Sequence, residues 1–130
     1  MTKIEFDIPI RTISEANSSE HWTKKSKRHK SQQFFVNLAF NLYVKDCKLP
    51  CKITITRFAP GELDHQDNLR MALKWVVDQI SECIALSLMS DEERKNHVIR
   101  KGQYDDDPRM TWEYKQEKSK YYSVRICIEF

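Results

Sequence analysis

The sequence predicts an α/β fold of the α+β type, in which a small mixed β-sheet of about four strands packs against two main helices and ends in a C-terminal β-hairpin. Two observations predict the elements: four segments alternate apolar with polar residues, and two others repeat apolar residues at helical spacing. The third observation is the size of the chain: 130 residues, 40% of them hydrophobic, are enough to form one hydrophobic core. We therefore expect a single domain over residues 1–130.

The strands are predicted where apolar and polar residues alternate or where β-branched residues accumulate. These segments are residues 4–10, 52–58, 110–114 and 122–128. Pro9 predicts that the first strand lies at a sheet edge. The polar stretch 117–120 separates the last two strands and predicts the hairpin.

Two longer segments, about 30–46 and 67–85, have the 3.6-residue period of amphipathic helices. The polar side of the second helix is predicted to carry Asp67, Met71, Lys74 and Asp78. Ser90 followed by Glu93 has the form of a capping box and predicts a short helix over about 91–101, ended by Gly102. Residues 11–30 lack periodicity and predict a long basic loop.

Composition excludes several classes of protein. No apolar run approaches the roughly 20 residues of a membrane span, and the first residues alternate instead of forming the apolar block of a signal peptide. We expect a cytoplasmic protein without a membrane partner. Structural zinc is not expected, because there is no C-x-x-C and the histidines are scattered. Four thiols should be reduced and partly buried, namely Cys47, Cys51, Cys83 and Cys127.

The charged residues are unevenly placed, although the formal net charge is only +3. Five cations crowd into seven positions: Lys24, Lys25, Lys27, Arg28 and Lys30. Cations at this density contact phosphates without reading sequence, so the segment predicts a nucleic-acid partner. His21 and Trp22 stand beside them and have two interpretations, stacking on an exposed base or packing against the protein. For Trp22 we favour packing that anchors the loop to the core.

Two clusters of acids stand apart from these cations, at residues 62–67 and 105–107. Each alone is typical of a helix cap or a turn. Three consecutive aspartates repel one another, however, unless a cation or a basic group offsets them. If the adjoining strands are neighbours, both clusters open at one edge of the sheet. Such aspartates bind Mg²⁺, which neutralises a phosphate and activates a water, so the candidate metal ligands are Asp64, Asp67, Asp106 and Asp107.

At these residues the sequence resembles the RusA-type Holliday-junction resolvases, small phage and bacterial endonucleases. The resemblance rests on an acidic segment entering Asp67-Asn68-Leu69 at the start of an amphipathic helix, and on the aspartates 105–107 leading into a strand. It implies a homodimer that acts in DNA recombination and repair. Such a dimer binds branched DNA, the four-way junction, and nicks two opposed strands with Mg²⁺, or Mn²⁺ in its place, held by three aspartates of each subunit.

Carried over residue by residue, the resemblance implies that Asp67 and Asp107 are catalytic metal ligands. The third family aspartate falls at His65 in this chain, so either Asp64 replaces it, His65 supplies a nitrogen, or the site is weaker. The family lysine falls at Met71. Lys74 is its candidate catalytic replacement, and its alternative role is a surface pair with Asp78.

Two other functions stay open at this point. One is a branched-DNA-binding protein that has lost catalysis, which accounts for His65 and Met71. The other is a small regulatory interaction protein whose aspartates are only caps and turns. Mg²⁺-dependent nicking would distinguish the enzyme from the branched-DNA-binding protein. A gel shift of DNA at low salt would distinguish both of these from the regulatory interaction protein.

Overall fold

A four-stranded mixed sheet lies at the centre of the structure, a computed structural model that describes residues 1–13, 21–64, 66–96 and 104–130. The strands in chain order are β1 (Lys3–Ile8), β2 (Cys51–Ala59), β3 (Met110–Lys118) and β4 (Ser123–Glu129). Their order in the sheet is β1-β4-β2-β3. The predicted fold class, the four strands and the edge position of the first strand are confirmed.

The predicted C-terminal hairpin is wrong, because β2 lies between β3 and β4. β4 is antiparallel to both β1 and β2, whereas β3 is parallel to β2 and begins with Met110 opposite Cys51. The polar connection therefore crosses the end of β2 instead of turning back, and the Ser119 N–H donates to the Ala59 carbonyl at 2.9 Å. The alternating pattern marked the strands correctly but did not specify which strand each one pairs with.

Three helices accompany the sheet: α1 (Trp22–Tyr43), α2 (Gln66–Ser87) and α3 (Asp91–Asn96). α2 matches its prediction closely, but Asp78 is buried and does not belong to the exposed polar side. The capping box of α3 is confirmed, since the Glu93 N–H donates to Ser90 Oγ at 3.2 Å. The rest of the predicted third helix, with Gly102, lies outside the described residues. Among the described helices, none is both long and apolar enough to cross a membrane.

α1 begins eight residues before its predicted start, so the segment predicted as a basic loop is helical from residue 22 onward. Lysine and arginine are good helix formers, and His21 caps the first turn by accepting a hydrogen bond from the Thr23 N–H at 3.2 Å. Trp22 is 71% exposed, so the expectation that it anchors this segment to the core is wrong.

The core lies between the two long helices and the sheet. It joins Ile53 and Ile55 of β2 with Leu73 and Val76 of α2 and with Val36 of α1. All four cysteines are buried and none is in a disulfide, as expected.

Arg57 is a charged residue at a core-facing position of β2, where its neighbours in the alternation are apolar. Its Nε donates to Thr12 Oγ1 at 3.0 Å, and its Nη2 donates to the Thr12 carbonyl at 3.1 Å. Its Nη1 donates to the Gly61 carbonyl at 2.8 Å. One guanidinium thus ties the segment after β1 to the turn that leads from β2 toward α2.

We expect Arg57→Met to lower the free energy of unfolding by about 1–3 kcal/mol, because it leaves the buried polar atoms of Thr12 without their donors. Arg125→Met is the matched control. Arg125 pairs with Asp7 at the surface, so its loss should cost less than about 1 kcal/mol. Urea unfolding of both variants measures the difference, and equal losses would contradict the role assigned to Arg57.

Candidate functional site

Asp64 of the first acidic cluster and Asp107 of the second lie at opposite ends of the β2–β3 pair. Leu63, beside Asp64, is bound to the late part of β3, because its N–H donates to Gln116 Oε1 and its carbonyl accepts from Gln116 Nε2, both at 2.9 Å. Asp107 instead precedes the first residue of β3. The six steps from Met110 to Gln116 span roughly 20 Å at a strand's rise per residue. The expectation that both clusters open at one edge of the sheet is therefore wrong for Asp64 and Asp107.

Asp64 and Asp107 are separated because β2 and β3 run in the same direction. In a parallel pair the segment that follows one strand and the segment that precedes the other lie at opposite ends. Asp64 follows β2 and Asp107 precedes β3, so parallel pairing separates these two residues.

Asp107 is engaged by the arginine two residues later. Arg109 Nη2 lies 2.9 Å from Asp107 Oδ2, its Nε donates to Oδ1 at 3.1 Å, and its backbone N–H donates to Oδ1 at 2.9 Å. These side-chain and backbone hydrogen bonds, with the charge of Arg109, hold the pKa of Asp107 below its ordinary value. In this arrangement Asp107 fixes the turn that enters β3.

The part of the chain that the structure describes contains no group of three or more His, Cys, Asp or Glu side chains arranged to hold a metal ion. Asp64, Asp67 and Asp106 are exposed, and His65 lies outside the described residues. The assignment of Asp64, Asp67, Asp106 and Asp107 as metal ligands therefore stays a prediction, as does the choice between Asp64 and His65.

A surface pocket of about 260 Å³ lies between α2 and the segment before β3. Its lining residues come from α2, from the segment before β3 and from β3 itself: Arg70, Met71, Lys74, Val77, Asp105 and Tyr114. The carbonyl of Asp105 is fixed by Trp112 Nε1, which donates to it at 3.1 Å. Asp105, and not Asp107, is thus the member of the second cluster that lines this pocket. We call it the α2 pocket.

The α2 pocket holds two cations and one acid. Arg70 and Lys74 are four residues apart and so project from the same face of the helix. Arg70 lies 5.8 Å from the centre of the Tyr114 ring, and burial raises the pKa of the Tyr114 hydroxyl while Arg70 lowers it. Asp67 stands one turn before Arg70 at the start of α2. Among the ion pairs between described residues, none joins Arg70 or Lys74 to a carboxylate.

A ring stack joins this pocket to the N-terminal part of α1. The rings of His29 and Trp75 stack with their centres 4.1 Å apart, and Lys74 Nζ lies 5.8 Å from the centre of the Trp75 ring. The five predicted DNA-binding cations belong to this part of α1, which we call the basic half of α1: residues 22–30. The basic half is therefore held beside the face of α2 that carries Lys74.

Several residues of this surface were not singled out by the sequence, namely Arg70, Trp75 and Tyr114. Asp105 was recognised in its cluster but not as a candidate ligand. One local signal was available, since Arg70 and Lys74 have the spacing that places two cations on one helix face. The contacts of Trp75 and Tyr114 join distant segments, for which the sequence has no local pattern.

No protein-family model, no curated protein and no solved structure matches this chain. The resemblance to RusA-type resolvases therefore stays a prediction.

Replacing Arg109 with glutamine is expected to raise the pKa of Asp107 toward its ordinary value of 3.8. The pair's contribution to stability is present above that value and is lost as the pH falls through the lower pKa of the folded state. NMR titration of the Asp107 carboxyl carbon measures its pKa in the wild-type protein and in the Arg109→Gln variant. Arg125→Gln is the control and should leave the pKa of Asp107 unchanged. The same Asp107 pKa with and without the Arg109 guanidinium would disprove the pairing.

Proposed function

We propose that the protein is a divalent-metal-dependent, structure-selective DNA endonuclease that acts on four-way junctions. The observation that supports this function best is the stack of His29 on Trp75, beside Lys74. It joins a dense row of cations to a pocket that holds both basic and acidic side chains. Phosphodiester hydrolysis needs those two elements side by side, one to hold the DNA backbone and one to act on it.

The basic half of α1 is proposed to bind the phosphates of one DNA arm. Its lysines are mostly exposed, and such contacts carry no sequence information, which suits an enzyme that selects shape. In the α2 pocket, Arg70 and Lys74 would hold the phosphate nearest the reaction. Lys74 thereby takes the catalytic role proposed for it, with Arg70 as a second cation that offsets charge in the transition state.

Mg²⁺ is the proposed cofactor, with Mn²⁺ as a substitute. This ion commonly keeps several waters and takes one or two protein carboxylates together with substrate phosphates, so a preformed cage of three ligands is not required. Asp105 lines the α2 pocket and Asp67 stands at the start of the same helix. These two acids are our choice of ligands. When bound, the ion supplies an activated water and neutralises the phosphate.

The remaining predicted ligands have weaker support. Asp107 is occupied by Arg109, so we assign it to fixing the turn that presents Asp105. Asp64 and Asp106 are exposed and stay candidates from the family resemblance. A branched-DNA-binding protein without catalysis is the second candidate function, favoured by Met71, which stands where the family has its lysine and which lines the α2 pocket.

We expect the purified protein to nick a synthetic four-way junction in Mg²⁺ and to leave duplex and single-stranded DNA intact. Asp67→Asn and Asp105→Asn should each lower the nicking rate by at least about a hundredfold, because each removes a metal ligand. Junction binding without metal should persist in both variants. Gel analysis of end-labelled junctions, beside gel-shift assays, measures the two properties separately.

Asp107→Asn is the matched control, with an expected loss of less than about tenfold because its carboxylate is assigned to the turn. The opposite order, in which Asp107→Asn abolishes nicking and Asp105→Asn does not, would overturn our ligand choice and favour the set implied by the family. If the wild-type protein binds junctions but does not nick them with Mg²⁺ or Mn²⁺, the second candidate function is the correct one.

Junction binding should weaken steeply with salt, because the basic half releases counterions from the DNA. Replacing both Lys24 and Lys27 with glutamine should reduce the slope of log K against log salt by roughly 2, since each phosphate contact contributes about 0.9. The control replaces Lys118 and Lys120, which lie at the far end of β3. Fluorescence anisotropy at several salt concentrations measures the slope. Equal slopes in the two double variants would exclude the basic half as the DNA contact.

A further inference from the structure

Two of the four buried cysteines lie together where α1 connects to β2. Cys47 belongs to the irregular connection between the helix and the strand, and Cys51 is the first residue of β2. Both side chains are part of the hydrophobic core, with 6% and 5% of their surface exposed. Their thiols share a side-chain hydrogen bond. We call Cys47 and Cys51 the thiol pair.

The other two cysteines lie apart from the thiol pair. Cys127 is the cross-strand partner of Thr54, which is three residues from Cys51, so strand alternation places the two cysteines on opposite faces of the sheet. Cys83 lies between the two long helices, where its thiol donates to Asn37 Oδ1 at 2.9 Å. Of the four cysteines, all of which the structure describes, Cys47 and Cys51 are therefore the two that can join in the folded protein.

The surroundings make the two thiols of the pair unequal. The hydrogen bond from Cys51, together with one from the Lys48 backbone, lowers the pKa of Cys47, although burial acts in the opposite direction. The pKa of Cys51 is raised, first by that shared hydrogen bond and then by burial. Cys47 is therefore the better nucleophile of the two, and Cys51 keeps its proton beside it.

A surface pocket of about 520 Å³ lies next to the thiol pair. Cys51 lines it, together with the three residues that separate the two cysteines in the chain, 48–50. A small oxidant such as hydrogen peroxide fits easily into this volume. The pocket therefore gives a peroxide a route to two side chains that are otherwise buried in the core.

We propose that the thiol pair is an oxidation site, at which a peroxide joins Cys47 and Cys51 in an intramolecular disulfide. The Cys47 thiolate attacks one peroxide oxygen, so an S–O bond forms, the O–O bond breaks, and the departing hydroxide takes up the Cys47 proton. The Cys51 sulfur then attacks the Cys47 sulfur. The S–S bond forms, the S–O bond breaks, and the Cys51 proton leaves with the hydroxide as water.

The new bond requires only local movement of the chain. Cys47 lies in the connection 44–50, so it can shift toward Cys51 without breaking a hydrogen bond of α1 or of the sheet. Cys51 is held in place, because its backbone N–H donates to the Arg109 carbonyl at 2.9 Å. The sulfurs must approach to about 2 Å, the length of a disulfide bond. Dithiothreitol should reverse the reaction by thiol–disulfide exchange.

Treatment of the purified chain with hydrogen peroxide, followed by denaturation in N-ethylmaleimide, tests the proposal independently of any nuclease activity. After oxidation, we expect Cys83 and Cys127 alone to react with the maleimide. Before blocking, the mass of the protein should fall by about 2 Da, because two hydrogens are lost. Trypsin cleaves after Lys48, so mass spectrometry should find the peptides 46–48 and 49–52 joined until dithiothreitol is added.

Variants separate the two roles within the pair. In Cys51→Ala the oxidation should stop at the sulfenic acid of Cys47, which dimedone traps. In Cys47→Ala the oxidation of Cys51 should be slower than that of wild-type Cys47 by more than about tenfold, because its thiol keeps its proton. Cys83→Ala is the matched control and should form the disulfide at the wild-type rate. Circular dichroism verifies that the variants are folded.

Two results with the wild-type protein would overturn the proposal, so it does not depend on the folding of any variant. One is that Cys47 and Cys51 both still react with the maleimide after peroxide treatment. The other is a tryptic cross-link that joins either of them to Cys83 or Cys127.

Discussion

The parallel pairing of β2 with β3 determines where the candidate site residues lie. A parallel pair cannot be closed by a tight turn, so the chain leaves the C-terminal end of β2, passes along α2 and returns to the opposite end before β3 begins. The helix that makes this crossing is therefore flanked by both acidic segments, one at its start and one along its side. Asp105 for that reason lines the α2 pocket together with residues of the first half of α2.

The local sequence pattern predicted correctly the elements that have one buried and one exposed side. α2 has one buried and one exposed side, and its predicted bounds of 67–85 lie within two residues of Gln66–Ser87. α1 has no such single face, because Phe34 and Leu38 point outward while Val36 and Phe40 point into the core. Its start was missed because residues 22–30 are mostly cationic and polar and show no apolar period, so its lysines were interpreted as a loop. The pairing of strands depends on contacts distant in sequence, which alternation does not contain.

For the candidate site, the sequence identified the chemistry better than the geometry. The acids it selected are divided between the two ends of the β2–β3 pair, and Asp105 and Asp107, two residues apart, have different environments. Three consecutive aspartates were expected to need a cation, and Arg109 in the same turn supplies one to Asp107. That ion pair removes part of the argument for a metal at Asp107. The Asp105 backbone is held against β3 by the hydrogen bond that Trp112 donates to its carbonyl, a contact with no sequence signature.

The proposed function depends on α1 being held in one rotational position. Its basic half is fixed by the stack of His29 on Trp75, and its C-terminal half by the packing of Val36 and Phe40 in the core. With the rotation fixed at both halves, the cations keep a constant relation to the α2 pocket. A junction-cutting enzyme needs that relation, because the cations must hold one DNA arm in place while the pocket acts on its backbone.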